Sequence, residues 1–223
     1  MDRVENRKLE KRDILEIKAA SKQLKGTSIL NDITMKMESG KIYGLRGVNG
    51  SGKTMLLRLM CGLIYADKGE VLWNAKCLGR EIDFPESVGI FLEKPSFLER
   101  YTGKKNLELL ADLKEGCSKD DVDRILLEVG LSGQAEKKYR KYSLGMKQRL
   151  GIGAALLGSP RLLLLDEPMN AIDEKGVSYF KEIFLREKER GALVVIASHD
   201  ASFLNCVCDK IFLLGEGRIA REE

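Results

Sequence analysis

The chain has 223 residues, 43% of them hydrophobic and 32% charged, a balance that is typical of a globular protein with a sizeable core. Its 38 basic and 34 acidic residues leave a net charge of only +4, which is too balanced to indicate nucleic-acid binding. No apolar run approaches the roughly 20 residues that cross a membrane, and the charged tail of residues 1–13 has no signal-peptide core.

The first part of the chain predicts several strands and one buried helix. Apolar and polar residues alternate around Ile33, Met35 and Met37, which would share one face of a strand. A mostly apolar segment at residues 54–64 predicts a helix that follows a glycine-rich turn. Strands are predicted at residues 14–17, 29–37, 42–46, 69–74 and 88–92.

The rest of the chain changes from a helical pattern to an alternating one. Between about residues 104 and 158 the apolar residues follow helical spacing, with no clear strand. Later strands are predicted at residues 161–165, 192–197 and 211–214, with a helix at about 174–190 between the first two. This order predicts one α/β core that carries an inserted α-helical subdomain.

The cysteines give little indication of a metal site. They are five in number, and their spacing is not that of a zinc finger. Cys206 and Cys208 follow His199 at a separation that makes only a weak ligand pattern. We therefore interpret the cysteines as the reduced thiols of a cytosolic protein.

Residues 47–54 (GVNGSGKT) fit the pattern G-x-x-x-x-G-K-[ST] in every fixed position, after a predicted strand and before a predicted helix. The glycines allow the backbone N–H groups of the loop to face a polyphosphate. Lys53 would reach the β- and γ-phosphates, and Thr54 would bind Mg²⁺. The predicted phosphate-binding residues are Gly47, Val48, Asn49, Gly50, Ser51, Gly52, Lys53 and Thr54.

Two acids follow the four leucines at residues 162–165. A short apolar run that ends in acids predicts a buried parallel strand, which places both carboxylates at the sheet edge where ligands bind. Asp166 is a candidate Mg²⁺ ligand, direct or indirect, and Glu167 would face the γ-phosphate and orient an attacking water. His199 follows the predicted strand at residues 192–197, so it would reach the same edge and hold that water in line.

A second phosphate-type site is predicted at Ser143 and Gly145, where a small-residue turn opens a helical pattern. A helix end of this kind binds anions, but the predicted helical insert separates it from Lys53. The two sites therefore cannot easily share one nucleotide in a compact monomer. Two copies that face each other head to tail would each place this helix end on the other's ATP.

With these elements in this order, residues 14–219 resemble the nucleotide-binding subunit of an ABC transporter. GVNGSGKT is similar to the Walker A loop of that family, and LLLLDEP to its Walker B strand, with the catalytic glutamate at Glu167. YSLGM stands at the place of the LSGGQ signature. Residues 170–173 correspond to the D-loop and His199 to the switch histidine.

The resemblance implies a P-loop NTPase (RecA-like) core with an N-terminal antiparallel β subdomain. In a single domain at 14–223, this core would occupy residues 14–93 and 159–223, and the α-helical subdomain about 94–158. The resemblance also implies a dimer of like or unlike ATPase subunits that encloses two ATP molecules. We expect such a dimer to drive an integral membrane permease from the cytoplasmic face of the membrane, without a nucleic-acid partner.

The chain departs from the family pattern in three motifs, at four positions. Leu144 and Met146 replace a glycine and a glutamine of the signature, whereas Ser143 and Gly145 are kept. Glu93 stands at the Q-loop position, where a carboxylate would bind Mg²⁺ more strongly. Leu24 stands where an aromatic ring usually stacks on adenine. Loss of such a stack costs on the order of 1–3 kcal/mol, which predicts weaker nucleotide affinity and weaker base preference.

Residues 88–111, together with YSLGMKQRLGI, look closest to the branch that exports antimicrobial peptides and antibiotics, including bacitracin-resistance and lantibiotic-immunity systems. The leading hypothesis is therefore the ATP-hydrolysing motor of an exporter. A soluble ABC ATPase that acts on ribosomes or nucleic acid is the alternative, although no tandem cassette, long coiled coil or zinc module is visible. A P-loop kinase of small molecules is a third hypothesis, which the helix at Ser143, the acidic pair and His199 argue against.

Overall fold

A computed structural model describes residues 12–92, 95–114 and 116–223 of the protein. Within these ranges the chain forms ten strands and six α-helices. The strands are β1 (Ile14–Leu24), β2 (Thr27–Glu38), β3 (Lys41–Arg46), β4 (Lys68–Trp73), β5 (Lys76–Cys77), β6 (Val88–Phe91), β7 (Leu162–Asp166), β8 (Leu193–Ser198), β9 (Lys210–Gly215) and β10 (Arg218–Glu222). The helices are α1 (Lys53–Met60), α2 (Gly103–Ala111), α3 (Lys119–Glu128), α4 (Leu144–Leu156), α5 (Glu174–Glu189) and α6 (Ala201–Val207).

The strands form two sheets. An antiparallel sheet has the order β2-β1-β4-β5, and a six-stranded sheet has the order β10-β9-β3-β8-β7-β6. In the six-stranded sheet every pair from β9 to β6 is parallel, and only β10 joins antiparallel. This arrangement confirms the predicted α/β core with an N-terminal antiparallel β sheet, and α2, α3 and α4 form the predicted helical insert.

Side-chain alternation in the central strand β7 divides the hydrophobic core into two parts. Leu163 and Leu165 point to the face that packs against α4, α5 and the helical insert, which we call the α4 face. Leu162 and Leu164 point to the opposite face, which packs against α1 and the antiparallel sheet and which we call the α1 face. Because successive residues of a strand point to opposite sides, the four leucines fill both cores.

Most helices begin at a side chain that caps them. The side chains of Thr102, Ser118, Ser143, Asp173 and Asp200 each accept a hydrogen bond from a backbone N–H in the first turn of α2, α3, α4, α5 and α6, respectively. Such caps satisfy N–H groups that have no partner within the helix. The chain is therefore held at the point where each loop enters its helix, which matters most for α4 and α5 at the candidate site.

Three short elements and one boundary differ from the sequence prediction. The strands β5 and β10 and the seven-residue helix α6 were not predicted. β5 has only two residues, β10 is a charged edge strand, and α6 has only about two turns, so none of them shows a periodic pattern of apolar residues. The predicted helix at 54–64 ends at Met60, since Gly62 adopts a positive φ of 81°. None of the helices in the described ranges is long and apolar enough to cross a membrane.

Candidate active site

The ends of three neighbouring parallel strands bring the chemically important side chains together. Strand β8 lies between β3 and β7, with Arg46 opposite Ser198 and Asp166 opposite Ala197. The strands therefore end almost level, and the residues that follow them meet at one edge. Ligands of open α/β sheets bind at this carboxyl edge.

The loop after β3 has a backbone that only small residues allow. A Cβ atom on Gly47 would lie 2.4 Å from the carbonyl oxygen of Leu214, and Gly52 has a φ of 105°. The Ser51 hydroxyl is buried and makes no hydrogen bond to any described residue. A phosphate oxygen would satisfy this group, because buried polar atoms require a partner. The loop therefore fits a polyphosphate.

Lys53 is the first residue of α1, and its side chain is only 6% exposed. Its Nζ donates hydrogen bonds to the carbonyl oxygens of Gly47 (2.6 Å) and Val48 (3.2 Å). It also lies 3.9 Å from Oε1 of Glu167. The ammonium group is thus held over the loop by acceptors that phosphate oxygens can replace.

The Glu167 carboxylate is oriented by several donors. Oε1 accepts a hydrogen bond from the backbone N–H of His199 (3.0 Å) and lies 2.9 Å from its ring Nδ1, while Oε2 accepts from the Ser198 hydroxyl (3.1 Å). Glu167 has a φ of 46°, a left-handed conformation that is uncommon for residues other than glycine. Strain of this kind often marks functional positions, and here it accompanies a carboxylate with a fixed direction.

Thr54 and Asp166 form the second contact between the loop and β7. The Thr54 hydroxyl donates a 2.5 Å hydrogen bond to Oδ2 of Asp166 across 112 residues of sequence. A hydroxyl and a carboxylate are the oxygen ligands that Mg²⁺ takes when it also binds water and substrate phosphates. Among the described residues there is no cluster of three or more His, Cys, Asp or Glu side chains that could hold a metal ion. Thr54 and Asp166 fit an ion that takes its other ligands from water and substrate phosphate. Glu93, the third predicted ligand, lies outside the described residues.

A cavity of about 390 Å³ opens beside these groups. It is lined by Leu24, Ile29, Asn49, Gly50, Gly52, Lys53, Thr54, Met55, Asp166 and Glu167. Two of the lining residues are aliphatic: Leu24, which is 42% exposed, and Ile29, which is half-buried. The lining contains no aromatic ring among the described residues. Leu24 lines the same cavity as the phosphate loop, and its place beside the adenine base stays a prediction.

Ser143 and Gly145 lie elsewhere. Ser143 is exposed and caps α4, accepting a 3.3 Å hydrogen bond from the N–H of Met146, and a Cβ on Gly145 would lie 2.9 Å from the carbonyl oxygen of Ala171. Neither residue is among the described residues that line the cavity. Helix α4 packs on the α4 face of the sheet, whereas α1, which begins with Lys53, packs on the opposite face. The structure thus separates the two predicted phosphate sites.

Two residues at the site were not predicted from the sequence. Ser198 contacts the Glu167 carboxylate, and Gln148 of α4 donates to the carbonyl oxygens of Glu167 (3.1 Å) and Pro168 (3.0 Å). The only indications in the sequence are a hydroxyl residue at the end of an apolar strand and a glutamine three residues after Gly145 on the same helix face.

The structure weakens the case for Cys208 as a metal ligand. Burial, together with the neighbouring Asp209 carboxylate, raises the pKa of the Cys208 thiol to about 12. With this pKa the thiol stays protonated at neutral pH. Metals bind the thiolate form, so this residue is a poor metal ligand. The interpretation of Cys208 as a reduced thiol fits this environment.

The chain is similar to known proteins of one family. A family model described as "ABC transporter" matches residues 30–170. An uncharacterized ABC transporter ATP-binding protein of Bacillus subtilis, YybJ, is 42% identical over 94% of this chain and 96% of its own length. The bacitracin transport ATP-binding protein BcrA of Enterococcus faecalis is 37% identical over 94% of this chain and 68% of its own. A solved ATP-binding subunit of an ABC transporter shares the fold with a TM-score of 0.84 and 27% identity, covering 94% of this chain and 89% of that one.

Proposed function

Because the chain belongs to the family of ABC transporter ATP-binding subunits, we propose that two copies of it close around two ATP molecules and drive a membrane permease. As a member of this family the protein binds and hydrolyses ATP. The dimeric arrangement, the Mg²⁺ ion, the permease and the roles of single residues form the proposal. The observation that carries it is the packing of α1, which begins with Lys53, and of α4, which Ser143 caps, on opposite faces of one sheet.

The packing of α1 and α4 on opposite faces of the sheet supports a second subunit. An ATP molecule on the loop of residues 47–54 would contact the beginning of α1, whereas α4 of the same chain packs on the opposite face of the sheet. A helix N-terminus with an exposed serine still offers N–H groups and a hydroxyl to an anion. Two copies related by a two-fold axis would bring Ser143 and Gly145 of each to the γ-phosphate bound by the other.

Within one composite site each residue has a separate role. Lys53 exchanges its contacts with Gly47 and Val48 for β- and γ-phosphate oxygens, which places its charge where negative charge develops. Glu167, held by Ser198 and His199, orients the attacking water and accepts its proton. His199, whose side chain is 59% exposed, remains accessible to the γ-phosphate.

Thr54 and Asp166 would hold Mg²⁺, with Glu93 as a further candidate ligand. The ion supplies positive charge that neutralises the phosphate oxygens. The two described residues already touch, so this pair needs little rearrangement to bind a cation.

The partner that fits this motor is an integral membrane permease, with the subunit bound to its cytoplasmic side. The likeness to a bacitracin transport protein supports an exporter of antimicrobial peptides, antibiotics or similar amphipathic compounds. Closure of the dimer on ATP and reopening after hydrolysis would be transmitted to the permease through the helical insert and the segment that contains Glu93.

A mixing experiment tests the composite site. The variant Ser143→Asp keeps a capping side chain for α4 but places a negative charge toward the γ-phosphate, and Lys53→Met removes the ammonium group. Each variant alone should hydrolyse little ATP. Mixed dimers contain one site that combines the intact Lys53 and the intact Ser143, so statistical pairing restores about a quarter of the sites. Phosphate release from the mixture should therefore exceed the sum of the separate variants.

The matched control for Ser143→Asp is Thr102→Asp at the N-terminus of α2, which has the same capping role. This variant should keep the wild-type rate. If mixing restores no activity although each variant binds its partner, the proposal that two copies of this chain share their sites is wrong.

Leu24 provides a further prediction about the base. Replacement by tyrosine supplies a ring in the cavity that can stack on adenine, and such a stack is worth about 1–3 kcal/mol. We expect Leu24→Tyr to bind ATP at least about 5-fold more tightly, measured by calorimetric titration. Leu127→Tyr, at an exposed position of α3, is the control and should not change the affinity. An unchanged affinity of Leu24→Tyr would place the base elsewhere.

A further inference from the structure

Gln148 is a buried polar residue whose side chain contacts the backbone of the segment that carries Glu167. It lies in α4 with only 6% of its surface exposed. Its Nε2 donates hydrogen bonds to the carbonyl oxygens of Glu167 (3.1 Å) and Pro168 (3.0 Å). A buried amide that satisfies two successive carbonyl oxygens constrains the peptide plane between them.

That peptide follows a strained residue. Glu167 has a φ of 46°, and its own N–H donates to the carbonyl oxygen of Ala197 at 2.8 Å. A positive φ persists in such a residue only where the surroundings impose it. The hydrogen bonds to Ala197 and from Gln148 hold the N–H and the C=O of Glu167, respectively. Together they fix the backbone from which the Glu167 side chain extends.

The same face of α4 contacts the rest of the loop between β7 and α5. The close approach of Gly145 to Ala171 and the 3.3 Å contact from Arg149 Nη2 to Oδ1 of Asp173 fix the helix against this loop. These contacts do not include the carboxylate-bearing residue itself. Gln148 is the described side chain of α4 that donates to the Glu167 backbone.

We propose that Gln148 is a positioning residue, which holds the Glu167 carboxylate in its reactive direction and ties that direction to the placement of α4. This inference rests on the proposed function, since it assigns Glu167 to the attacking water. The N-terminus of α4 carries Ser143, which serves the ATP of the other copy. Gln148 therefore links the helix that contacts one ATP to the carboxylate that acts on the other.

The variant Gln148→Met tests the link. Methionine nearly keeps the volume of glutamine but has no N–H to donate. We expect kcat for ATP hydrolysis by the full chain to fall at least about 10-fold, with the affinity for ATP unchanged within about twofold, since orientation acts on the transition state only. Gln134→Met, an exposed glutamine of the same insert, is the control and should keep the wild-type kcat.

A second measurement separates positioning from general destabilisation. In the background Glu167→Gln, the added change Gln148→Met should alter the residual single-turnover rate by less than about twofold, because the residue through which it acts is already disabled. A structural role would lower the rate in both backgrounds by the same factor.

Three results would overturn the inference: an unchanged kcat of Gln148→Met, a parallel loss of ATP affinity, or equal effects in the two backgrounds. Failure of the proposed function looks different. If the role of Glu167 is wrong, Glu167→Gln itself hydrolyses ATP at the wild-type rate, whatever residue stands at position 148. If two copies do not share their sites, mixing Ser143→Asp with Lys53→Met restores no activity.

Discussion

Glu167→Gln is expected to lower the rate of ATP hydrolysis by about 100-fold or more while ATP still binds. The amide keeps the shape of the side chain and can retain the contact with the His199 N–H. It cannot accept the proton of the attacking water, and general-base catalysis contributes about 10²–10⁴-fold. With reopening blocked, the variant should accumulate as an ATP-bound dimer, which size-exclusion chromatography with ATP would detect beside a phosphate-release assay.

The control for this variant is Glu182→Gln, which removes one carboxylate from an exposed position of α5. It should hydrolyse ATP at the wild-type rate and elute as the wild type does. Normal turnover by Glu167→Gln would remove Glu167 from its assigned role, and the positioning role of Gln148 would lose its basis with it.

Lys53→Met is expected to weaken ATP binding by about 10- to 150-fold. A hydrogen bond to a charged group contributes about 1.5–3 kcal/mol, and Lys53 offers such bonds to phosphate oxygens. Methionine keeps most of the buried stem, so the packing of a side chain that is only 6% exposed changes little. Calorimetric titration with ATP measures the affinity, and the hydrolysis rate should fall with it.

This variant also removes the donor to the carbonyl oxygens of Gly47 and Val48. Thermal unfolding without nucleotide shows how far that loss destabilises the loop, and it separates stability from affinity. Lys68→Met, at an exposed position of β4, is the control for a lost positive charge. An affinity of Lys53→Met equal to that of the wild type would contradict the phosphate role.

Much of the fold could be predicted because its elements are strongly patterned. The four leucines of β7 and the apolar run of β8 are continuous apolar segments of strand length, and each is followed by polar residues. Such segments predict buried strands. The strand β10 is different, since a single half-buried apolar residue among charges has no visible period at a sheet edge. The short helix α6 depends on its Asp200 cap and its packing rather than on propensity.

The candidate site divides in the same way. Residues 47–54 form one continuous loop, so their spacing alone predicts a phosphate site, and Asp166 and Glu167 follow their strand directly. The hydrogen bonds from Ser198 and Gln148 to Glu167 connect segments that are distant in sequence. No local pattern contains such a pairing, because it depends on the order in which the strands stand in the sheet.

The sequence by itself determined which chemistry the protein carries, since a glycine-rich loop, an acidic pair and a helix cap are each encoded within a few neighbouring residues. Only the tertiary structure decided how these parts face one another. Strand order β3-β8-β7 brings Lys53, Asp166 and Glu167 to one edge, and side-chain alternation in β7 puts α1 and α4 on opposite faces. The physical reason is that the order of segments along the chain does not determine the spatial order of the strands or the face on which each helix packs. Both are determined by the packing of side chains on the two faces of the sheet.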